Sequence, residues 1–324
     1  MLSLEKARSI FRDELESFVI AGEPPELYEP IRYTLELGGK RIRPVLALMT
    51  GSLFSEHYQE LIPAAIALEI FHNFTLLHDD IMDHSVLRRN KPTVHVKWNS
   101  STAILSGDAM LILAFRMIQK SDEKSLPQVM DIFTQTALEV CEGQQFDMEF
   151  EGRMDVSEEE YIRMIGLKTA ALIAASMKIG AIIAGASQKD AGLLYEAGKN
   201  LGIAFQLKDD LLDTFGSTAK FGKRIGGDII ENKKTFLFIC ARDHANDSQR
   251  EELFKLYRSS GDVEEQKIQA VCNLFNKIEV QKLTEVKIQQ YIQKAYCYCE
   301  ELTSSADSKK ELANLIEYLI EREN

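Results

Sequence analysis

Tyr161 to Ala186 reads YIRMIGLKTAALIAASMKIGAIIAGA, and this stretch decides the fold class. Apolar residues recur at steps of three and four, as at Ile162 and Ile165 and again at Ala170, Ile173 and Met177. That is the period of one helical face, not the alternation of a strand. The run from Ala170 to Ala186 is rich in Ala, Gly and Ser and carries Lys178 in its middle. It predicts a tightly packed core helix, because a membrane crossing needs about 20 nearly uninterrupted apolar residues. Outward from here the pattern persists. All seven prolines, Pro24, Pro25, Pro30, Pro44, Pro63, Pro92 and Pro127, precede residue 128, so the rest of the chain lacks the residue that breaks helices. Period-2 runs of β-branched residues are scarce, and no fixed repeat or Gly/Ser linker interrupts the chain. The expectation is a single all-α domain over residues 1–324. Breaks are expected near 21–30, 88–100, 121–127, 152–157, 186–190, 216–232, 243–249, 259–264 and 303–308, with about ten helices between them.

Composition narrows the function. With 45% hydrophobic and 27% charged residues the chain is globular rather than disordered or fibrous. Lys and Arg number 38 against 50 Asp and Glu, a net charge of -12, which argues against nucleic acid and against a generic anionic membrane surface as partners. Five cysteines, an odd number without CxxC spacing, and an opening MLSLEKARSIFRDELESF without a secretory pattern point to the reducing cytoplasm.

Chemistry concentrates in two clusters, His78-Asp79-Asp80-Ile81-Met82-Asp83 and Lys208-Asp209-Asp210-Leu211-Leu212-Asp213. Both are DDxxD. At this composition one such triplet arises by accident in roughly one chain in twenty, and two together far more rarely. On a helix the first and last Asp of the motif share a face one turn apart, and their like charges repel. Holding them beside the apolar flanks Phe74-Thr75-Leu76-Leu77 and Leu201 to Leu207 needs a compensating cation. Hard oxygen ligands suit Mg²⁺, which prefers one or two carboxylates, water and substrate phosphate oxygens. His72 falls on the azimuth of Asp79 and Asp83, and Gln206 stands in the same relation to Asp210 and Asp213. For His72 alone a satisfied core histidine is the ordinary alternative; its alignment favours a role in the site.

Basic residues gather beside glycine and near these motifs, in Gly38-Gly39-Lys40-Arg41-Ile42-Arg43-Pro44, Leu87-Arg88-Arg89-Asn90-Lys91-Pro92, Gly222-Lys223-Arg224-Ile225-Gly226-Gly227-Asp228 and Asn232-Lys233-Lys234. Glycine admits close backbone approach to an anion, and Arg grips phosphate oxygens in pairs. Each cluster alone is an ordinary solvated patch, but four around two Mg²⁺-type motifs indicate diphosphate binding. Lys168-Thr169 opens the Ala-rich helix, and its spacing alone says little.

Together these motifs resemble the trans-isoprenyl diphosphate synthases, or polyprenyl synthetases: GGKRIRP, HNFTLLHDDIMDHSVLRRNKPTVH, GQQFD, KTAALI, FQLKDDLLDTFG and GKRIGGDIIENKK, in that order, over about residues 30–240. The resemblance implies an all-α terpenoid synthase-type bundle around a central cavity, a homodimer, and two Asp-rich helices facing each other. It implies that Asp79, Asp80, Asp83 and Asp209, with Asp210 and Asp213 behind, hold about three Mg²⁺ and through them an allylic diphosphate. Arg88, Lys168, Lys223 and Lys233 match its direct cationic partners. Lys40, Arg43, His72 and Arg89 match the isopentenyl diphosphate pocket, Thr169 and Gln206 the residues beside the allylic cation, and Gln144 and Asp147 a supporting motif. The implied reaction ionises an allylic diphosphate (dimethylallyl, geranyl or farnesyl), adds isopentenyl diphosphate and eliminates a proton. The Gly-rich stretch 216–228 is a candidate lid that excludes water.

The resemblance also implies that product length follows the residue below the first Asp motif. Phe74, five before Asp79 and about 7.5 Å back along the axis, is large, whereas Thr75 is small. That pattern resembles geranylgeranyl-type synthases, with farnesyl diphosphate or a longer polyprenyl diphosphate as the alternative products. The ending Glu321-Arg322-Glu323-Asn324 lacks the basic tail of some relatives. A terpene cyclase would replace the second DDxxD. A di-iron bundle needs two Glu-x-x-His motifs, and only Glu69-Ile70-Phe71-His72 is present. A noncatalytic helical interaction subunit would not need six intact aspartates.

Overall fold

The computed structural model describes residues 1–216, 226–258 and 263–320. The helices are α1 (Leu4–Ser17), α2 (Pro25–Glu36), α3 (Ile42–Gly51), α4 (Ile62–Met82), α5 (Val94–Lys97), α6 (Ser100–Ile118), α7 (Leu126–Glu151), α8 (Glu158–Ile165), α9 (Ala171–Ile183) and α10 (Gln188–Phe215). They are followed by α11 (Gly227–Ile230), α12 (Phe236–His244), α13 (Asp247–Arg258), α14 (Glu264–Ile278), α15 (Val280–Glu300) and α16 (Ala306–Ile320). Among the described residues the only strands are β1 (Leu87–Arg88) and β2 (Lys91–Pro92), an antiparallel pair with Leu87 opposite Pro92 and Arg88 opposite Lys91. The chain is all-α, as the periodicity required.

Starts follow local chemistry. The Asn99 side chain accepts from the Thr102 amide at 2.8 Å, and Ser157 and Glu160 form a reciprocal capping box that opens α8. Pro25 occupies the first turn of α2, where its missing N–H has no helical partner to lose. The expected break over 21–30 is shorter than foreseen, because α2 begins at Pro25 and continues through the buried Pro30. More helices occur than the ten expected. Gly38 (φ +84°) and Gly39 (φ +125°) end α2 in a backbone region that side chains disfavour, and Glu279 (φ +60°) separates α14 from α15.

The chain divides into two compact units, one of residues 1–134, 175–195 and 302–311, the other of 135–174, 196–301 and 312–324. In the first, α4 packs on α6, α3 and α2. Its core holds Leu68, Ile70 and Phe71 at 1% exposure or less, and Phe133 lies edge-on to Phe71 (5.4 Å) and Phe115 (5.2 Å). Each large side chain so buried contributes about 1.5–3 kcal/mol. In the second unit α12 packs on α15, α13, α14 and α8, with Phe238 buried against Tyr257 at 4.5 Å.

Three helical stretches are long and apolar enough to cross a membrane by length and composition: Tyr58–Met82, Ser100–Ile118 and Glu158–Ile183. In the first and third, 72% and 78% of the apolar window is buried inside the protein, but in Ser100–Ile118 only 39% is. The stretch read as a core helix is deeply buried, from Ala170 (0%) to Ile183 (8%).

Candidate active site

In the first unit Asp79 and Asp80 fall in the last turn of α4, and Asp83 caps its end, with its amide donating to the Asp79 carbonyl at 2.8 Å. Negative charge is disfavoured at a helix C-terminus, and that turn holds no basic residue. Compensation for Asp80 comes from outside the helix. The Arg88 Nε lies 2.8 Å from both Asp80 oxygens and its Nη2 2.7 Å from Oδ1, and Asp80 is only 4% exposed. Burial still raises the Asp80 carboxyl above the usual range, with Arg88 opposing. Arg88 stands on β1, and the tight turn beyond it places Arg89 and Asn90 at φ +52° and +61°, the geometry that two-residue hairpins need. Tyr33 ties this hairpin to α2 by donating its hydroxyl to the Pro92 carbonyl at 2.7 Å.

His72, one face of α4 back from the aspartates, lies in the field of Arg43, Arg89, Arg88 and Arg41. Burial first, and then these cations in that order, hold its imidazole well below the ordinary value, so it is neutral near pH 7. Arg43 and Arg89 thus lie close enough to His72 to act on it electrostatically. Lys40 lines a cavity of about 750 Å³ with Arg8, Arg12, Arg32 and Arg41, a cavity whose lining does not include His72, Arg43 or Arg89. Phe74 is buried, with its ring 5.6 Å from Phe71 and 4.8 Å from His78, while the Thr75 hydroxyl donates to the His72 carbonyl at 2.8 Å.

In the second unit Asp209, Asp210 and Asp213 occupy the last two turns of α10, again at a C-terminus without a basic residue. A cavity of about 120 Å³ gathers Asp147, Tyr161, Lys168, Thr169, Gln206, Asp210, Asp228 and Lys233 among its walls. Lys168 and Thr169 project from a π-helical turn, Gly166–Ala170, a distortion common at functional sites. A Cβ on Gly143 would stand 2.3 Å from the Lys168 amide nitrogen, so only glycine lets α7 approach that turn. Lys168 binds Asp147 at 2.6 Å and Lys233 binds Glu231 at 2.8 Å. A relay runs from the Thr169 hydroxyl to Gln206 Oε1 (2.9 Å), from Gln206 Nε2 to Asp210 Oδ1 (3.0 Å), and from the Tyr161 hydroxyl to Asp210 Oδ2 (2.5 Å). Burial pushes the Asp210 carboxyl up to about 7, the bonds from Tyr161 and Gln206 pull it down, and Asp209 adds to the rise. Asp228 is raised well above its usual range by burial and by Asp213 and Asp210.

Tyr161, Asp228 and Lys234 also line this site; the last two stood in clusters already read as diphosphate-binding, though without a role of their own. For Tyr161 nothing in its local sequence marks it, since its partner is 49 residues away. Asp228 was visible inside GGDIIENKK, and its amide caps back to Asp213 Oδ2 at 3.0 Å. Lys223, most of the 216–228 lid, and the ending 321–324 lie outside the described residues.

The donors fit Mg²⁺. Two carboxylate motifs sit at the wrong end of their helices, and burial with Asp213 and Asp210 close by raises Asp228, as befits a carboxylate cluster that accepts a cation. No three His, Cys, Asp or Glu side chains among the described residues are grouped as a complete metal cage. Mg²⁺ needs none, since water and phosphate fill its remaining positions.

Comparison with known proteins agrees with this chemistry. The polyprenyl synthetase profile matches residues 24–275. A geranylgeranyl diphosphate synthase of Methanosarcina mazei is 43% identical over 220 residues, 67% of this chain and 68% of its own. A geranylgeranyl pyrophosphate synthase of Geoglobus acetivorans is 38% identical over 97% of both chains. Among solved structures, a crystal structure of a geranylgeranyl pyrophosphate synthase superposes with a TM-score of 0.95 at 45% identity and covers 100% of each chain. With a profile that spans most of its length and relatives this similar, the chain belongs to the polyprenyl synthetase family.

Proposed function

We propose that this protein is a short-chain trans-prenyltransferase that condenses isopentenyl diphosphate with dimethylallyl, geranyl and farnesyl diphosphates to give geranylgeranyl diphosphate. The observation that carries this reading is the cavity in which three lysines, Lys168, Lys233 and Lys234, meet the Thr169–Gln206 hydroxyl–amide pair and the buried carboxylate of Asp210. Asp79, Asp80, Asp83, Asp209, Asp210 and Asp213 would hold about three Mg²⁺, which when bound draw charge from the diphosphate and make it a better leaving group. Arg88, Lys168 and Lys233 meet its oxygens and stabilise the charge that develops as the carbon–oxygen bond breaks. The lone pairs of Thr169 and Gln206 face the allylic cation left behind. Lys40, Arg43 and Arg89, with neutral His72 as a hydrogen-bonding partner, hold the isopentenyl diphosphate whose double bond attacks. The proton then lost goes to the released diphosphate.

Phe74 is the floor that stops the product at 20 carbons; the names of the relatives and its burial five residues before Asp79 support this role. Residues 1–324 act as one catalytic domain, in the cytoplasm, since each unit carries one acidic motif. The active form is a homodimer. Ile104, Leu105 and Ile112 are exposed on α6 at 47%, 59% and 61%, an apolar face that a second copy would cover. Light scattering is expected to give twice 36.7 kDa. The test of function is diphosphate release by the purified protein with Mg²⁺, isopentenyl diphosphate and each allylic primer in turn. Release with all three supports the reading, and release with none overturns it.

A further inference from the structure

Arg41 has no assigned role, yet it stands between Lys40 and Arg43 on the loop that leads into α3. Its backbone is left-handed, at φ +49° and ψ +40°, a conformation unusual for a bulky residue. Its guanidinium donates to the Leu35 carbonyl and, at 2.5 Å, to Glu69 Oε1. The same Glu69 oxygen accepts from Asn73 Nδ2 at 2.6 Å. Glu69 is 1% exposed on α4, three residues before His72, and the paired side chains are 15% and 2% exposed.

Stability alone does not account for this pair. Glu69 Oε2 is buried with no hydrogen-bond partner among the described residues, and a half-satisfied buried carboxylate is costly where apolar residues would serve. Position does account for it. Gly38, Gly39, Lys40 and Arg41 border the cavity of about 750 Å³, so the loop has open space along part of its length. Arg89 ties the loop through the Gly38 carbonyl, and Arg41 ties it to Leu35 and to Glu69 of α4.

We propose that Arg41 and Glu69 are positioning residues, a clamp that fixes the Gly38–Arg41 loop and the first turn of α3 against α4 and so sets the isopentenyl diphosphate site without touching substrate. The proposal rests on the function given above. Glu69→Gln keeps the shape and removes the charge. It is expected to raise KM for isopentenyl diphosphate about 10-fold, with kcat and KM for farnesyl diphosphate within about twofold of the parent. Arg41→Gln, on the loop side of the pair, is expected to do the same and serves where Glu69→Gln does not fold. Arg41→Lys is not expected to rescue, because an ammonium cannot bond Leu35 and Glu69 in the same fork. The double variant should be no worse than the more affected single one, since both remove one interaction. Unchanged KM for isopentenyl diphosphate, or equal rises for both substrates, would overturn the clamp. A parent enzyme that does not condense the two substrates overturns the function instead, so the two failures are distinct.

Discussion

The two units neutralise their acidic motifs by different means. In the first, Asp80 lies against Arg88, a full positive charge delivered by the hairpin just beyond α4. In the second, the partners of Asp210 among the described residues are neutral, the Tyr161 hydroxyl, the Gln206 amide and the Phe236 backbone amide, and Asp213 and Asp228 lie at the same end of α10. Of the lysines that line the cavity there, Lys168 pairs with Asp147 and Lys233 with Glu231, and Lys233 also opposes the rise of Asp228. Asp80 of the first motif is thus compensated by a charge within the protein, whereas Asp210 of the second is held by neutral donors. The comparison teaches that two copies of one sequence motif can carry different electrostatic demands, set by what each unit packs beside them.

Metal removal is the hardest blow to that contrast. Chelation is expected to abolish turnover, and excess Mg²⁺ to restore it; turnover undiminished in chelator would contradict the account. Mg²⁺ with diphosphate at 100 times its Kd should also add about 2.7 kcal/mol of stability, read as a rise in Tm.

Next come the cations. Arg88→Ala and Lys168→Ala should each lower kcat by about 10²–10³, since each removes charge aimed at the leaving diphosphate. Their stability costs should differ. Losing Arg88 strands the buried Asp80 and should cost about 3 kcal/mol, whereas Lys168 and Asp147 are 24% and 28% exposed and their pair is worth less than about 1 kcal/mol. Equal losses in a denaturant titration would erase the contrast drawn here.

Tyr161→Phe probes the neutral side. It leaves Asp210 Oδ2 buried without its hydroxyl, and a loss of about 1–3 kcal/mol in urea unfolding is expected, partly recovered by Mg²⁺ and diphosphate. No loss would mean that the hydroxyl contributes nothing to holding Asp210.

The smallest effect concerns His72. Its folded pKa is depressed, so the folded state stays neutral while the unfolded chain takes up a proton near pH 6.5. The stabilisation is therefore complete above that pH and lost as pH falls below it. Between pH 6.5 and 5.5 the Tm of the parent should fall more steeply than that of His72→Gln, and parallel profiles would show that His72 titrates normally.

Much of this was legible in the chain. Spacings of three and four in Tyr161–Ala186 and the absence of proline after residue 127 required helices, and the paired DDxxD clusters required a cation. What was hidden depends on residues meeting from far apart. The Tyr161–Asp210 bond joins positions 49 apart and the Arg41–Glu69 pair positions 28 apart, and neither spacing marks a local element. The π-helical turn that presents Lys168 and Thr169 was hidden too, since its sequence reads as ordinary helix. So was the helical position of the motifs. That both end their helices, where the backbone dipole opposes them, emerges only once α4 and α10 are seen to stop there.

The central claim is that these two motifs drive chain growth to 20 carbons, with Phe74 as the floor. The most direct measurement is the mass of the product formed from farnesyl diphosphate and isopentenyl diphosphate by the parent and by Phe74→Ala. The account predicts a 20-carbon product from the parent and longer chains from the variant, whose emptied site should also cost about 3–5 kcal/mol of stability. No product from farnesyl diphosphate, or a variant that still stops at 20 carbons, would contradict it.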